Sequence, residues 1–209
     1  MSKRLLKRNN TYSVFLKDGN VCIMEGTSFQ KQLLHCVPKD PSVKSWRLNI
    51  TFRTGKNVSI GLKKDILKDF AEHKIIDGAS LCLGSLDNDI LSPFKKELVE
   101  QIKIYGKPDQ TKIPFKNEYT LNNGRMVLDM AFKEGMTYTY GGKTTAPGIA
   151  FGPSAQGVLK IISELLGVVV EDIWAHVVFY PNGECGLGWH SDAEDGLDPA
   201  RIVSLTFLE

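Results

Sequence analysis

His190 and Asp192 stand two positions apart in the stretch Tyr180-Pro-Asn-Gly-Glu-Cys-Gly-Leu-Gly-Trp-His-Ser-Asp-Ala-Glu194. On an extended backbone residues i and i+2 project to the same side, so an imidazole and a carboxylate can converge on one ion. Two histidines and one carboxylate on a single face of an octahedron make an open site for redox-active iron, with three positions left for exchangeable ligands. The pair provides two such donors, and a third has to come from elsewhere in the chain. A lone His-x-Asp is a weak signal, since most such pairs are turn or surface residues. Its setting gives it weight.

That setting is a pair of strands. Ile173 to Tyr180 (Ile-Trp-Ala-His-Val-Val-Phe-Tyr) reads as one, Pro181-Asn182-Gly183 as a turn, and Ile202 to Leu208 (Ile-Val-Ser-Leu-Thr-Phe-Leu) as a second. The metal-ligand pair therefore falls between strands, near the mouth of a sandwich or barrel. Tyr12 to Leu16, Val21 to Met24 and Leu48 to Phe52 add further short strands. On the last of these, Arg47, Asn49, Thr51 and Arg53 share one face while Leu48, Ile50 and Phe52 share the other. A half-exposed strand alternates in the same way. Two arginines flanking Asn and Thr also form a donor-rich strip suited to a dicarboxylate, which guanidinium forks hold with directional, charge-assisted bonds.

Two further features admit two readings each. His35 lies inside the apolar run Leu33 to Pro38, where a buried structural histidine is the ordinary reading. Tyr138 and Tyr140 alternate on one face of an expected strand that ends in Gly141-Gly142; such rings stack on nucleobases beside a basic cleft, and they also pack cores. Elsewhere the pattern predicts helices over Leu62 to His73, Pro93 to Ile104 and Ser154 to Leu166, the last stopped by Gly167, and a turn-rich Gly78 to Asp89.

The totals set limits. A chain of 209 residues with 42% hydrophobic and 24% charged residues suits one well-buried domain, and no apolar run is long enough to span a bilayer. The start, Met-Ser-Lys-Arg-Leu-Leu-Lys-Arg, does not lead into the apolar core of a signal peptide, so an intracellular location, cytoplasmic or nuclear, is expected. Cys22, Cys36, Cys82 and Cys185 lack the close spacing of a zinc site or a disulfide framework, and reduced thiols follow. A net charge of +2 does not decide for or against nucleic acid, and the clusters Lys3-Arg4, Lys7-Arg8, Lys63-Lys64 and Lys95-Lys96 read first as solvated surface.

Taken together, the segments resemble a known family. Tyr138-Thr-Tyr140-Gly-Gly142, the Tyr180 to Glu194 segment and Ile202 to Phe207 resemble the first half of the AlkB-type catalytic domain. Asp18-Gly-Asn-Val-Cys-Ile-Met24, Gly26, His35-Cys-Val-Pro38 and Arg47-x-Asn-x-Thr-Phe-Arg53 resemble its second half. The halves occur in reversed order, and Ser2 to Asn9 resembles what ordinarily follows the Ile202 to Phe207 strand. The resemblance implies an α+β, mainly β fold: a double-stranded β-helix (jelly-roll) core with flanking helices, circularly permuted. Residues 1–53 would be the family's C-terminal half, 54–120 a joining segment with helices, and 121–209 the lid and metal-binding half of a single domain.

Residue by residue, the resemblance implies His190, Asp192 and His35 as ligands of Fe(II). Arg47, Asn49, Thr51, Arg53 and Tyr180 would hold the cosubstrate 2-oxoglutarate, with O2 as second cosubstrate. Tyr138, Tyr140 and Glu194 would face the target base. Two positions depart from the family: Val178 where Asn is usual, and Ala193 where many relatives carry Asp. The implied activity is oxidative removal of N-methyl groups from bases of alkylated DNA or RNA by a monomer with no membrane association, releasing formaldehyde, succinate and CO2. Three other readings stand beside it: the same oxygenase chemistry on a protein or small molecule, a nucleic-acid-binding module without turnover, and a zinc hydrolase using the same donor set.

Overall fold

The computed structural model describes residues 2–7, 10–55, 61–112, 119–135, 139–140, 143–144, 148–192 and 200–209. In chain order the elements are β1 (Ser2–Lys7), β2 (Asn10–Phe15), β3 (Asn20–Glu25), α1 (Thr27–Gln32), β4 (Leu34–Val37), β5 (Arg47–Thr54), β6 (Lys68–Ile76), β7 (Ala79–Ser85) and α2 (Asn88–Tyr105). There follow β8 (Lys107–Lys112), β9 (Tyr119–Ala131), β10 (Thr139–Tyr140), β11 (Lys143–Thr144), β12 (Ile149–Ala150), α3 (Gln156–Leu166), β13 (Ile173–Tyr180), β14 (Leu187–His190) and β15 (Arg201–Leu208). The protein is α+β and mainly β. None of the described helices is long and apolar enough to cross a membrane.

A nine-stranded sheet runs β12-β9-β13-β5-β15-β3-β7-β6, with β8 also paired to β9. A four-stranded sheet runs β14-β4-β1-β2, and β10 pairs with β11 apart from both. The pairings are antiparallel except that of β12 with β9.

Alternation along the central strands gives the large sheet two different faces. Leu48, Ile50 and Phe52 of β5, Ala175 and Val177 of β13, and Val203, Leu205 and Phe207 of β15 join one buried cluster. The same cluster contains Leu91, Phe94, Leu98 and Ile102 of α2 and Val158, Leu159, Ile162, Leu165 and Leu166 of α3. Both helices present these residues at three- and four-residue spacing, so one stripe of each is laid on the sheet. Gly167 ends α3 in the left-handed conformation (φ 73°), its N–H returning to the Ser163 carbonyl at 2.8 Å.

The other face of the large sheet turns toward the small sheet. At one side Val14 and Leu16 pack with Cys22, Met24, Phe29, Leu81 and Ile202. At the other side Val37, Val178, Tyr180 and Cys185 form a second, smaller cluster. Between the two lies the polar strip of β5. The four cysteines are buried and none is in a disulfide. Two of the basic clusters are engaged locally: Lys63 pairs with Glu164 and Lys64 with Glu72, and Lys95 pairs with Asp18.

The two ends of the described chain flank one turn. Ser2 faces Phe15 across the β1–β2 pair, while the Leu208 N–H donates to Asp18 Oδ1 (2.8 Å) and the Gly19 N–H to the Thr206 carbonyl (2.9 Å). The β2–β3 connection thus receives β1 from one side and β15 from the other.

Two expectations from the sequence are overturned. Residues 62–73 do not form a helix: Lys64–Ile66 make a single 3-10 turn and β6 begins at Lys68. Nor is 78–89 a run of turns, since β7 occupies Ala79–Ser85 and buries Leu81 and Cys82. The cause is the Asp77-Gly78 turn between two apolar runs, a strong two-residue hairpin signal. Gly78 takes φ 71° there, Ile76 pairs with Ala79, and β7 docks on β3. Tertiary pairing outweighs the helical spacing of Leu62, Ile66 and Phe70.

Gly26 precedes α1 with φ 96°, and a Cβ there would lie 2.1 Å from the Gly78 carbonyl oxygen. Gly26→Ala is expected to lower the unfolding free energy by about 2 kcal/mol or more, measured by urea titration. Stability equal to the wild type would mean that the β3–α1 corner does not have this geometry.

Candidate metal centre

β4 and β14 carry one histidine each, and their pairing puts His35 directly opposite His190. The ring centroids are 4.1 Å apart. Two residues beyond His190, the chain brings Asp192 back over the pair. His35 Nε2 lies 3.2 Å from Asp192 Oδ2, and His190 Nε2 lies 3.7 Å from Asp192 Oδ1. One ligand atom from each of the three residues falls within 4.8 Å of the others. Adjacent donors about 2.1 Å from a common ion would stand about 3 Å apart. The set is thus close to what one cation needs, and these three residues could hold a metal ion.

The surroundings orient each donor. His190 Nδ1 donates to the Gly188 carbonyl at 2.8 Å, which leaves Nε2 as the lone-pair nitrogen facing Asp192. The Asp192 N–H donates to Gln30 Oε1 at 2.9 Å, and Gln30 is itself buried on α1. Arg53 Nη2 donates to Asp192 Oδ1 at 2.8 Å. Burial by itself would raise the Asp192 carboxyl, but the Arg53 guanidinium and the two imidazoles outweigh it and hold the group well below the ordinary carboxylate range. A buried carboxylate that its neighbours favour in the ionised form, beside two histidines, is a donor set ready for a cation.

Along β5 from Arg53, the strip read from the sequence is intact and faces the same interior. Asn49 Nδ2 donates to Thr51 Oγ1 at 3.2 Å. Arg47 and Arg53 are 4% and 6% exposed, which rules out a solvated surface strand. Arg47 Nε and Nη1 are buried without a hydrogen-bond partner among the described residues, and burial lowers the guanidinium pKa. The Tyr180 ring lies under Arg47, 4.9 Å from its carbon, with Arg125 5.8 Å away. A buried cation with orphaned donors is costly unless an anion completes it. A carboxylate is the group whose geometry matches.

Other residues complete this interior without having been singled out in the sequence. Ser204 and Thr206 of β15 stand opposite Thr51 and Asn49. Ser204 Oγ meets Thr51 Oγ1 at 3.2 Å, and Thr206 donates to Asn49 Oδ1 at 3.1 Å. Their signal was present as Ser-x-Thr on an otherwise apolar strand. Arg125 of β9 pairs with Asp109 and donates to the Gly186 carbonyl at 2.6 Å, tying β8 and β9 to the segment that enters β14. Val178 stands opposite Asn49 and packs in the cluster of Val37, Tyr180 and Cys185, so it closes the strip with an apolar wall. Gln30 and Arg125 gave no local pattern to read.

His190, Asp192, His35, Arg47, Asn49, Thr51, Arg53 and Tyr180 therefore converge on one interior. Tyr138 and Glu194 lie outside the described residues, and of Tyr140 only the backbone in β10 is described. No family model, curated protein or solved structure matches the chain. The reading of the site rests on its own geometry.

Replacing Arg47 by an apolar side chain of similar length removes buried, unpartnered donors. Arg47→Met is expected to raise the unfolding free energy of the ligand-free protein by about 1–3 kcal/mol. A chemical denaturation curve shifted to lower denaturant would show that the guanidinium is already compensated inside the fold.

Proposed function

We propose that this chain is an AlkB-type iron(II)- and 2-oxoglutarate-dependent dioxygenase that oxidatively removes N-methyl groups from DNA or RNA bases. One observation carries the reading: a two-histidine, one-carboxylate cluster shares its interior with a buried guanidinium whose donors lack an anion. A hydrolytic zinc centre would account for the first and leave the second unexplained. Iron and 2-oxoglutarate together supply an oxidant formed from dioxygen, with succinate and CO2 as co-products, able to hydroxylate an N-methyl group that is then lost as formaldehyde.

The chain's own residues have defined tasks in this scheme. His35, His190 and Asp192 would hold the metal through Nε2, Nε2 and a carboxylate oxygen, on one side of the ion, leaving the other side to exchangeable ligands. Arg53 keeps Asp192 ionised and aligned. Arg47 would take the distal carboxylate of the keto acid, with Tyr180 bounding the same end of the strip. Asn49, Thr51, Ser204 and Thr206 form a hydrogen-bonded floor between the two arginines. The neighbouring apolar clusters exclude water from the strip.

Strand pairing supports a permuted jelly roll. If Leu208 were followed by Ser2, the order would be β13, β14, β15, β1, β2, β3, β4, β5. In that succession the first strand pairs with the eighth, the second with the seventh, the third with the sixth and the fourth with the fifth. Such nested antiparallel pairing, wrapped over two sheets, is the path of a double-stranded β-helix. The shared β2–β3 turn is where the break between β15 and β1 would fall.

Anaerobic addition of Fe(II) and 2-oxoglutarate is expected to give a visible charge-transfer band, absent from His35→Ala and Asp192→Ala and weakened in Arg47→Met. With air and methylated oligonucleotides the wild type is expected to form succinate and formaldehyde. A wild type without the band, or a band that survives the ligand substitutions, would sink the assignment. Succinate formed with peptides and not with oligonucleotides would keep the chemistry and change the substrate.

A further inference from the structure

The strip of β5 begins at Arg47, and the row level with that residue crosses three strands of the large sheet. Tyr180 of β13 stands opposite Arg47 on one side. On the other side β9 pairs with β13 as far as Phe179 and Met126, which brings Arg125 level with Tyr180. Arg125 is two residues from Val127, the partner of Val178, so it shares the face of Val178 and Tyr180. The Tyr180 ring thus has a guanidinium from each flanking strand, Arg47 at 4.9 Å and Arg125 at 5.8 Å from its centre. Val178, the next residue on that face of β13, adds no polar atom.

Arg125 is buried and, unlike Arg47, already engaged. Its Nε and Nη2 meet the Asp109 carboxylate, and its Nη1 donates to the Gly186 carbonyl at 2.6 Å. The local cause is an irregularity in the β8–β9 pair: Gly124 takes φ 79°, and the register slips between Pro108 and Gln110, where Asp109 meets Arg125. These charges reach the tyrosine. Burial pushes the Tyr180 hydroxyl above its ordinary value, Arg47 and then Arg125 oppose that shift, and Asp109 adds to it. An anion seated on Arg47 beside the same ring lies in the same field. Arg125 attracts it without giving up a hydrogen bond, and Asp109 weakens the attraction.

We propose that the Asp109–Arg125 pair sets how tightly the Arg47 end of the strip holds the distal carboxylate of the keto acid. Arg125 is a second cation acting across Tyr180, and Asp109 holds its effect in check. The proposal rests on the reading of that end as a dicarboxylate site. Neither residue touches the ligand in this scheme: both are positioning residues, acting through Tyr180 and through the field at Arg47. The two members work in opposite directions, so removing each charge shifts affinity with opposite sign. A tie that merely holds β8 and β9 to the segment entering β14 would give the same sign for both.

The test measures 2-oxoglutarate affinity in two ways, by titrating the anaerobic Fe(II) absorption band and by thermal stabilisation of the metal-free protein. Arg125→Met is expected to raise Kd about fivefold, the effect of one partly screened charge at this range. Asp109→Asn, which keeps an acceptor for Arg125 and removes the charge, is expected to lower Kd about threefold. Arg125→Lys, which keeps the charge and loses the fork, is expected to stay within about twofold of the wild type. Asp109→Asn and Arg125→Lys decide the matter even where Arg125→Met does not fold. With 2-oxopentanoate, a keto acid of the same chain length without the distal carboxylate, all four proteins are expected to bind alike in the band titration. Weaker 2-oxoglutarate binding by Asp109→Asn, or equal effects on the two keto acids, would overturn the inference and leave the pair a structural tie. Equal 2-oxoglutarate affinities in all four proteins, with the band present, would overturn it and leave the dioxygenase reading standing. A wild type without the band, stabilised by 2-oxoglutarate and with variants in the stated order, would support the inference and overturn the dioxygenase reading. A wild type with neither band nor stabilisation would overturn both.

Discussion

Asp192 is a carboxylate taken out of water and kept charged. Its two oxygens meet an arginine at 2.8 Å and a histidine at 3.2 Å, and a glutamine side chain holds its backbone N–H. Without those partners an ionised carboxyl at this depth would cost several kcal/mol and would take up a proton instead. The elements around it supply the partners: β5 brings Arg53, β4 brings His35, β14 brings His190, and α1 brings Gln30. The meeting of the two sheets at this point is therefore an electrostatic requirement as much as a packing one.

The large sheet is organised around the same requirement. Its helix-covered face is made of Leu, Ile, Val and Phe and needs no explanation beyond burial. Its inner face carries arginine, asparagine, threonine and serine at positions where a two-layer β protein ordinarily places aliphatic side chains. Polar residues in a buried layer reduce stability unless they satisfy one another. Here the hydroxyl and amide groups do so, through the Asn49–Thr51, Thr51–Ser204 and Thr206–Asn49 bonds, while Arg47 does not. That exception separates a structural network from a binding surface.

Much of this was legible in the residues. The His-x-Asp pair, the alternating arginine strip and the strands on either side follow from two-residue periodicity, and β2, β3, β5, β13 and β15 lie where the pattern puts them. Helix α3 and its glycine stop follow from three- and four-residue spacing and the need for positive φ. What could not be read locally depends on distant partners. His35 sits in an apolar run that would suit any core histidine, and only the pairing of β4 with β14 gives it a second imidazole. Gln30, Ser204 and Thr206 acquire meaning only once strands far apart in sequence are side by side. The hairpin of β6 and β7 is a different case: its Asp77-Gly78 turn is local, but Leu62, Ile66 and Phe70 before it also have helical spacing, and the docking of β7 on β3 decides between the two.

The way the chain threads through the two sheets also fixes when the site can exist. Gln30 and Asp192, joined by a hydrogen bond, are separated by 162 positions, and Arg53 and Asp192 by 139. On a ribosome, β4 and β5 emerge well before β13, β14 and β15 and wait for the intervening strands and helices to be made before these arrive to flank them. Contacts this far apart in sequence impose a large loop-closure cost and slow assembly. A half-made molecule exposes both edges of β5, and such edges invite association with other chains unless a chaperone or rapid completion covers them.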